Sequence, residues 1–167
     1  MVNHLFAAWR MDYVTAPRHD GCIFCDFPTE NNDVERFILH RGKLCFVILN
    51  IYPYNPGHMM VAPYRHTNLY ETLTSEEHAE MSRLTAEAIH TLKRAMAPDG
   101  FNIGMNLGKT AGAGIADHLH MHIVPRWNGD HNFMTVSADT RVVPEALSAT
   151  YRKLKECWGA RRQNAAR

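Results

Sequence analysis

The order of apolar segments predicts an α+β domain, with antiparallel strands around one long helix and a second helix near the C-terminus. Three observations carry this. Two apolar runs rich in β-branched and aromatic residues, "ERFILHR" and "LCFVILN", are separated only by Gly42 and Lys43, the pattern of a hairpin. Thr74 is followed three residues later by Glu77, a capping box opening a run with apolar residues every three or four positions. Residues 117–127, "DHLHMHIVPRW", alternate polar and apolar, the period of a strand.

In chain order, the hairpin is followed by "IYPYNPG", whose two prolines and glycine make it a loop. "HMMVAPY" resumes as a strand. The long helix carries Met81, Leu84, Ala88, Leu92 and Met96 on one face and stops near Pro98 and Gly100. "FNIGMN" is a further strand and "LGKTAGAG" a flexible loop before the histidine segment. The last helix is expected over Pro144 to about Trp158.

At 167 residues the chain reads as one domain, with a core over about 22–158 and a flexible tail at 159–167. The net charge is +1, so neither a nucleic-acid nor a membrane-surface binder is indicated. The N-terminus is too broken by polar residues for a signal peptide, and no apolar run reaches the ~18 residues of a membrane span. A cytoplasmic location is expected, with no organic cofactor. There, four cysteines do not suggest a disulfide framework. Cys22 and Cys25 in "CIFC" read as metal ligands or a redox pair, and Cys45 and Cys157 as packing residues.

In an extended segment His118, His120 and His122 share one face, about 7 Å apart at ~3.3 Å rise per residue, and Leu119, Met121 and Ile123 face a core. A helix would leave the apolar residues without a common side. Three imidazoles in a row can be a solvated face, a metal site, or a row for phosphoryl-type transfer in which one ring is the nucleophile. The neighbourhood favours the third. The glycines of "GKTAGAGIAD", Gly112 and Gly114 among them, let backbone N–H groups approach a phosphate. Arg126 could hold phosphate or pair with an acid. A fourth histidine, His58, follows "NPG" at a strand start. Tyr52 and Tyr54 read either as walls of a base pocket or as cover for a core edge. Trp127 reads as an interface or substrate-loop residue.

"HLHMHIV" fits the His-φ-His-φ-His-φ-φ pattern of the histidine-triad superfamily. With "CIFC", "LNIYPYNPGHMMVAPYRH" and "GAGIADHLHMHIVPRW" in that family's order, residues 22 to about 134 resemble its fragile-histidine-triad-like branch. "VPRWNGDHNFM" resembles bacterial diadenosine tetraphosphate phosphorylases. The resemblance implies a five-stranded antiparallel sheet with a long helix packed on it, and a homodimer. It implies cleavage of nucleoside or dinucleoside polyphosphates at the α-phosphate through a nucleotidyl-histidine. His120 would be the nucleophile, His122 the phosphate and leaving-group contact, and His118 and His58 ordering residues. Asn50 would contact ribose and Asn106 phosphate. Leu107 departs from the pattern, standing where relatives often carry Gln. The acceptor would be water or inorganic phosphate. A nucleoside phosphoramidase and a nucleotide-binding regulatory module are the other readings. One CxxC cannot close a tetrahedral site. The resemblance completes it with His66 of "PYRH" and His118, so that Cys22, Cys25, His66 and His118 hold a structural zinc.

Overall fold

The computed structural model describes residues 20–130 and 145–159. Five strands form one antiparallel sheet: β1 (Ile38–Arg41), β2 (Cys45–Leu49), β3 (Met59–Pro63), β4 (Gly100–Gly104) and β5 (Met121–Arg126), in the order β1-β2-β3-β5-β4. Helix α1 (Ile23–Asp26) is a single turn, α2 (Ser75–Met96) is the long helix, and α3 is Leu147–Cys157. Pro144 and the terminal segments expected at the surface lie outside the described residues.

Strand parity divides the core into two layers. Cys45, Val47 and Leu49 of β2 join Met59 and Val61 of β3 on one face, against Met81, Leu84, Ala88 and Leu92 of α2 and Tyr151 and Leu154 of α3. Phe46 and Ile48 of β2 join Met60 and Ala62 of β3 on the other, against Phe24 and Phe27. Truncating a fully buried leucine such as Leu84 costs about 2–5 kcal/mol.

The capping box forms as expected. The Thr74 hydroxyl accepts from Glu77 N–H at 3.2 Å, and the Glu77 carboxylate accepts from Thr74 N–H at 2.8 Å. The helix ends where Ala97 turns left-handed, at φ +46°, just before Pro98. One turn along α2, Glu80 accepts from the successive N–H groups of Lys43, Leu44 and Cys45, fastening the β1–β2 turn to the helix. Gly42 is required there, since a Cβ would stand 2.7 Å from the Cys45 carbonyl oxygen.

The strand expected from residue 118 begins only at Met121. β3 ends at Pro63, which has no N–H to donate, and its carbonyl accepts from the His118 ring at 2.9 Å. Residues 118–120 are nevertheless extended enough to keep the alternation. Leu119 and Ile123 are buried in the helix-side core, and Leu119 N–H donates to the Thr67 carbonyl at 2.7 Å. "FNIGMN" is likewise a strand only from Gly100 to Gly104.

Candidate functional site

His118, His120 and His122 emerge on the sheet face opposite α2. β5 places His122 beside Met60 of β3, and the run-in to β5 carries His118 and His120. His58, Met60's neighbour but one, meets them from the start of β3. Both His58 and His118 are almost wholly buried, at 1% exposure, and His120 is at 6%.

Neighbouring groups decide which nitrogen of each ring carries hydrogen, because a neutral imidazole has one N–H and one lone pair. The His118 carbonyl can only accept, so His120 Nδ1–H donates to it at 2.8 Å. His120 Nε2 is therefore the unprotonated nitrogen. The Tyr54 backbone N–H can only donate, so it donates to His58 Nδ1 at 3.1 Å. His58 Nε2–H then donates to His122 Nδ1 at 2.9 Å, which leaves His122 with Nε2–H. The result is one ring offering a lone pair beside another offering a proton, their centroids 4.7 Å apart in an edge-on arrangement.

Burial and adjacent rings keep these imidazoles neutral. Desolvation, then the neighbouring His122 and His120, push His58 down to about 3. Desolvation and His120 bring His122 to about 4. Desolvation also lowers His120, opposed by its bond to the His118 carbonyl.

The other end of the row is built differently. His118 Nε2–H is committed to Pro63, so its Nδ1 lone pair points toward Cys22 Sγ at 3.3 Å, Cys25 Sγ at 3.5 Å and His66 Nδ1 at 3.3 Å. Cys25 Sγ lies 3.2 Å from His66 Nδ1. The four ligand atoms all fall within 4.8 Å of one another. Two sulfurs and two nitrogens at such spacings suit a tetrahedral zinc ion, with Zn–N about 2.0–2.1 Å and Zn–S about 2.3 Å. Burial and Cys22 push the Cys25 thiol up to about 11. Only a cation would hold two adjacent thiolates here. The Pro63 carbonyl is the kind of outer partner that fixes a ligating histidine's tautomer.

The sequence reading did not anticipate Phe24. Between the two cysteines and fully buried, it packs on both His118 and His120, at centroid distances of 5.2 and 4.8 Å. Its position inside "CIFC" was the available signal. The Pro63 carbonyl and the Tyr54 N–H left no signal, being backbone groups.

The expected substrate-contacting residues scatter more. Asn50 is beside the histidines: its Oδ1 accepts from Tyr52 N–H at 2.9 Å, and its Nδ2 reaches His58 Nδ1 at 3.3 Å. Asn106 borders a cavity shared with His122, and its amide lies 3.5 Å from the Gly112 carbonyl. Gly112 is left-handed, at φ +85°, and a Cβ at Gly114 would meet nothing within 4 Å, so that loop is open. Tyr52 and Tyr54 are 58% and 45% exposed, which removes the reading that they cover a core edge. Arg126 pairs with Asp130 at 2.6 and 2.9 Å, the acid-pairing alternative. Cys45 is a core residue, and Cys157 is half-buried at the end of α3.

A five-stranded sheet whose last strand and its run-in carry three alternate histidines, with a fourth hydrogen-bonded from the neighbouring strand's start, defines a histidine-triad protein. The chain belongs to the HIT domain family, whose pattern matches residues 31–129. It is 47% identical over 135 residues to a protein named AP-4-A phosphorylase from Mycobacterium tuberculosis, covering 81% of this chain and 69% of that one. It is 27% identical over 129 residues to the adenosine 5'-monophosphoramidase hnt1 of Schizosaccharomyces pombe, covering 77% of this chain and 92% of that one. A zinc-bound histidine triad family protein from Mycobacterium smegmatis superposes with a TM-score of 0.66 at 27% identity, over 82% of this chain and 92% of that one. No described helix is long and apolar enough to cross a membrane.

Proposed function

We propose that this chain is a nucleotidyl transferase that cleaves dinucleoside polyphosphates at the α-phosphate, with His120 as nucleophile and inorganic phosphate as acceptor. The observation that carries the reading is the bond from His120 Nδ1–H to the His118 carbonyl, which frees Nε2 to attack. The 47%-identical relative named AP-4-A phosphorylase supports the choice of acceptor.

In the first step the Nε2 lone pair forms a bond to the α-phosphorus, and the bond from phosphorus to the leaving phosphate oxygen breaks. The electron pair departs on that oxygen, which His122 Nε2–H stabilises by a charge-assisted hydrogen bond. The His120 ring becomes a positively charged N-phosphoryl imidazole that keeps Nδ1–H, and the His118 carbonyl dipole faces that charge. In the second step a phosphate oxygen attacks the same phosphorus, the P–N bond breaks, and its electron pair returns to Nε2. The products are a nucleoside diphosphate and the departed nucleotide. His58 acts through His122, holding its Nδ1 as acceptor and so its Nε2–H as donor. Asn106 is assigned to the phosphate and Asn50 to the ribose.

Cys22, Cys25, His66 and His118 are assigned as ligands of a structural zinc, which when bound would tie the N-terminal turn to the strand carrying His120. The partner is assigned as a second copy of the chain. β4 is an edge strand with Ile103 46% exposed, a side available for pairing.

Rapid quenching with labelled diadenosine tetraphosphate tests the reading. An acid-labile adenylyl adduct on His120, with adenosine diphosphate formed only when phosphate is added, is the expected result. Products indifferent to phosphate would replace the phosphorylase with a hydrolase. No adduct and no turnover of any nucleotide would leave only the regulatory module. The resemblance to a monophosphoramidase adds one further substrate to the screen, adenosine 5'-phosphoramidate.

A further inference from the structure

A cavity of about 300 Å³ opens beside His122, toward the β4 edge of the sheet. This is the lower end of the range in which small-molecule pockets fall. His122 lines it, whereas His120 does not. A displacement at phosphorus is in line, so the leaving group departs on the side away from the attacking Nε2. Because His122 is the donor to the leaving oxygen in that reaction, a cavity lined by His122 and not by His120 lies on the departing side.

Strand register says what forms its floor. Gly104 is paired with His122, Asn102 with Val124 and Gly100 with Arg126, so these six positions share the histidine face. Gly104 has no side chain, and a Cβ built there meets nothing within 4 Å. The gap beside His122 exists because residue 104 is glycine.

Apart from Asn106, which the proposed reaction assigns to the phosphate, the walls suit a nucleoside rather than more phosphate. Arg126 spends Nε and Nη2 on Asp130 and donates from Nη1 to the Asn102 Oδ1 at 2.6 Å. Its charge is compensated, so a polyanion gains little by leaving water for this cavity. Asn55 is fixed by donating to Asp130 and to the Pro125 carbonyl, at 2.8 and 2.9 Å. Tyr54, 45% exposed, supplies an aromatic face, and Val124 an apolar one. Flat aromatic surface, amides and little net charge suit a base and ribose, which have apolar faces and hydrogen-bonding edges.

We propose that this cavity, floored by Gly104 and walled by Tyr54, Asn55, Asn102 and Arg126, receives the second nucleoside of a dinucleoside polyphosphate. It is a specificity pocket for the departing half, and it rests on the reading of His120 as nucleophile.

The test is Gly104→Val, with Gly104→Ala as a milder step, each assayed on diadenosine tetraphosphate and on adenosine 5'-phosphoramidate, which has no second nucleoside. Because an added Cβ has room, both variants are expected to melt within a few degrees of the parent. Gly104→Val should raise KM for diadenosine tetraphosphate at least tenfold, and Gly104→Ala less, with kcat/KM for the phosphoramidate within about twofold of the parent. Equal losses on both substrates, or no loss on either, would overturn the pocket while leaving the His120 adduct intact. If Gly104→Val misfolds, the alanine step alone decides: a KM shift confined to the dinucleotide supports the pocket, and its absence overturns it. A parent that turns over neither substrate and forms no adduct would instead sink the nucleophile, and the pocket with it.

Discussion

Both ends of the histidine row use buried imidazoles, yet they are wired in opposite ways. At the cysteine end, lone pairs converge: His118 Nδ1 faces two sulfurs and His66 Nδ1, all at 3.3–3.5 Å. At the His58 end, donors and acceptors alternate, from Tyr54 N–H through His58 to His122. Converging lone pairs ask for a cation, whereas an alternating chain delivers a directed N–H. The difference is set by backbone groups, a carbonyl at Pro63 and an N–H at Tyr54, and not by the histidines themselves. His120 sits between, its Nδ1 on the carbonyl of the very residue that belongs to the other end.

The largest break removes the ring both ends serve. His120→Ala is expected to lower turnover about 10⁴-fold or more while nucleotide binding stays measurable. Single-turnover kinetics beside equilibrium dialysis checks this, and a rate near that of the parent would end the assignment.

Next comes the cysteine end alone. A cation held at 1,000 times its Kd adds about 4.1 kcal/mol, or roughly 8–16 °C in Tm at 2–4 °C per kcal/mol for a chain of this size. Cys22→Ser is expected to lower bound zinc from one per chain to well below one and to lower Tm on that scale. Purified parent protein carrying almost no zinc without chelator treatment would refute the site.

The His58 end is then broken separately. His58→Ala is expected to cost about 10²-fold in kcat, since it frees His122 to adopt the wrong tautomer, with zinc content unchanged. A loss of zinc in this variant would show that the two ends are not independently wired.

The smallest effect sharpens the contrast through pH. Burial and the neighbouring rings push folded His58 down to about 3 and His122 to about 4, below the ordinary value near 6.5. Between those values the unfolded chain binds protons that the folded chain refuses. The contribution is therefore complete above about pH 6.5 and shrinks as pH falls toward 4. Urea denaturation is expected to show about 1–2 kcal/mol less stability at pH 5 than at pH 7 from His58, and none of that difference in His58→Ala.

Much of this was legible in the sequence. The capping box of Thr74 and Glu77, the five apolar positions of α2 and the alternation around His120 are local patterns, and each formed as read. The ligand set Cys22, Cys25, His66 and His118 came from resemblance, and the chain does bring those four together. Where the reading slipped, the cause was non-local. The histidine strand starts at Met121 because Pro63, 55 residues before His118, ends the ladder. Phe24 was passed over because its place inside "CIFC" marks it as near the cysteines, while the two histidine rings that lie on it come more than 90 residues later.

Residue order alone settled the faces, since side-chain direction along an extended chain follows from backbone geometry within a few positions. It therefore fixed that three imidazoles stand together and that Leu119 and Ile123 oppose them. Which nitrogen of each ring bears hydrogen was decided only by folding. For His118 and His122 the groups that choose lie far away along the chain: Pro63 is 55 residues from His118, and His58 is 64 from His122. A neutral imidazole has two nearly equivalent tautomers, and a hydrogen bond to a partner of fixed polarity is what separates them.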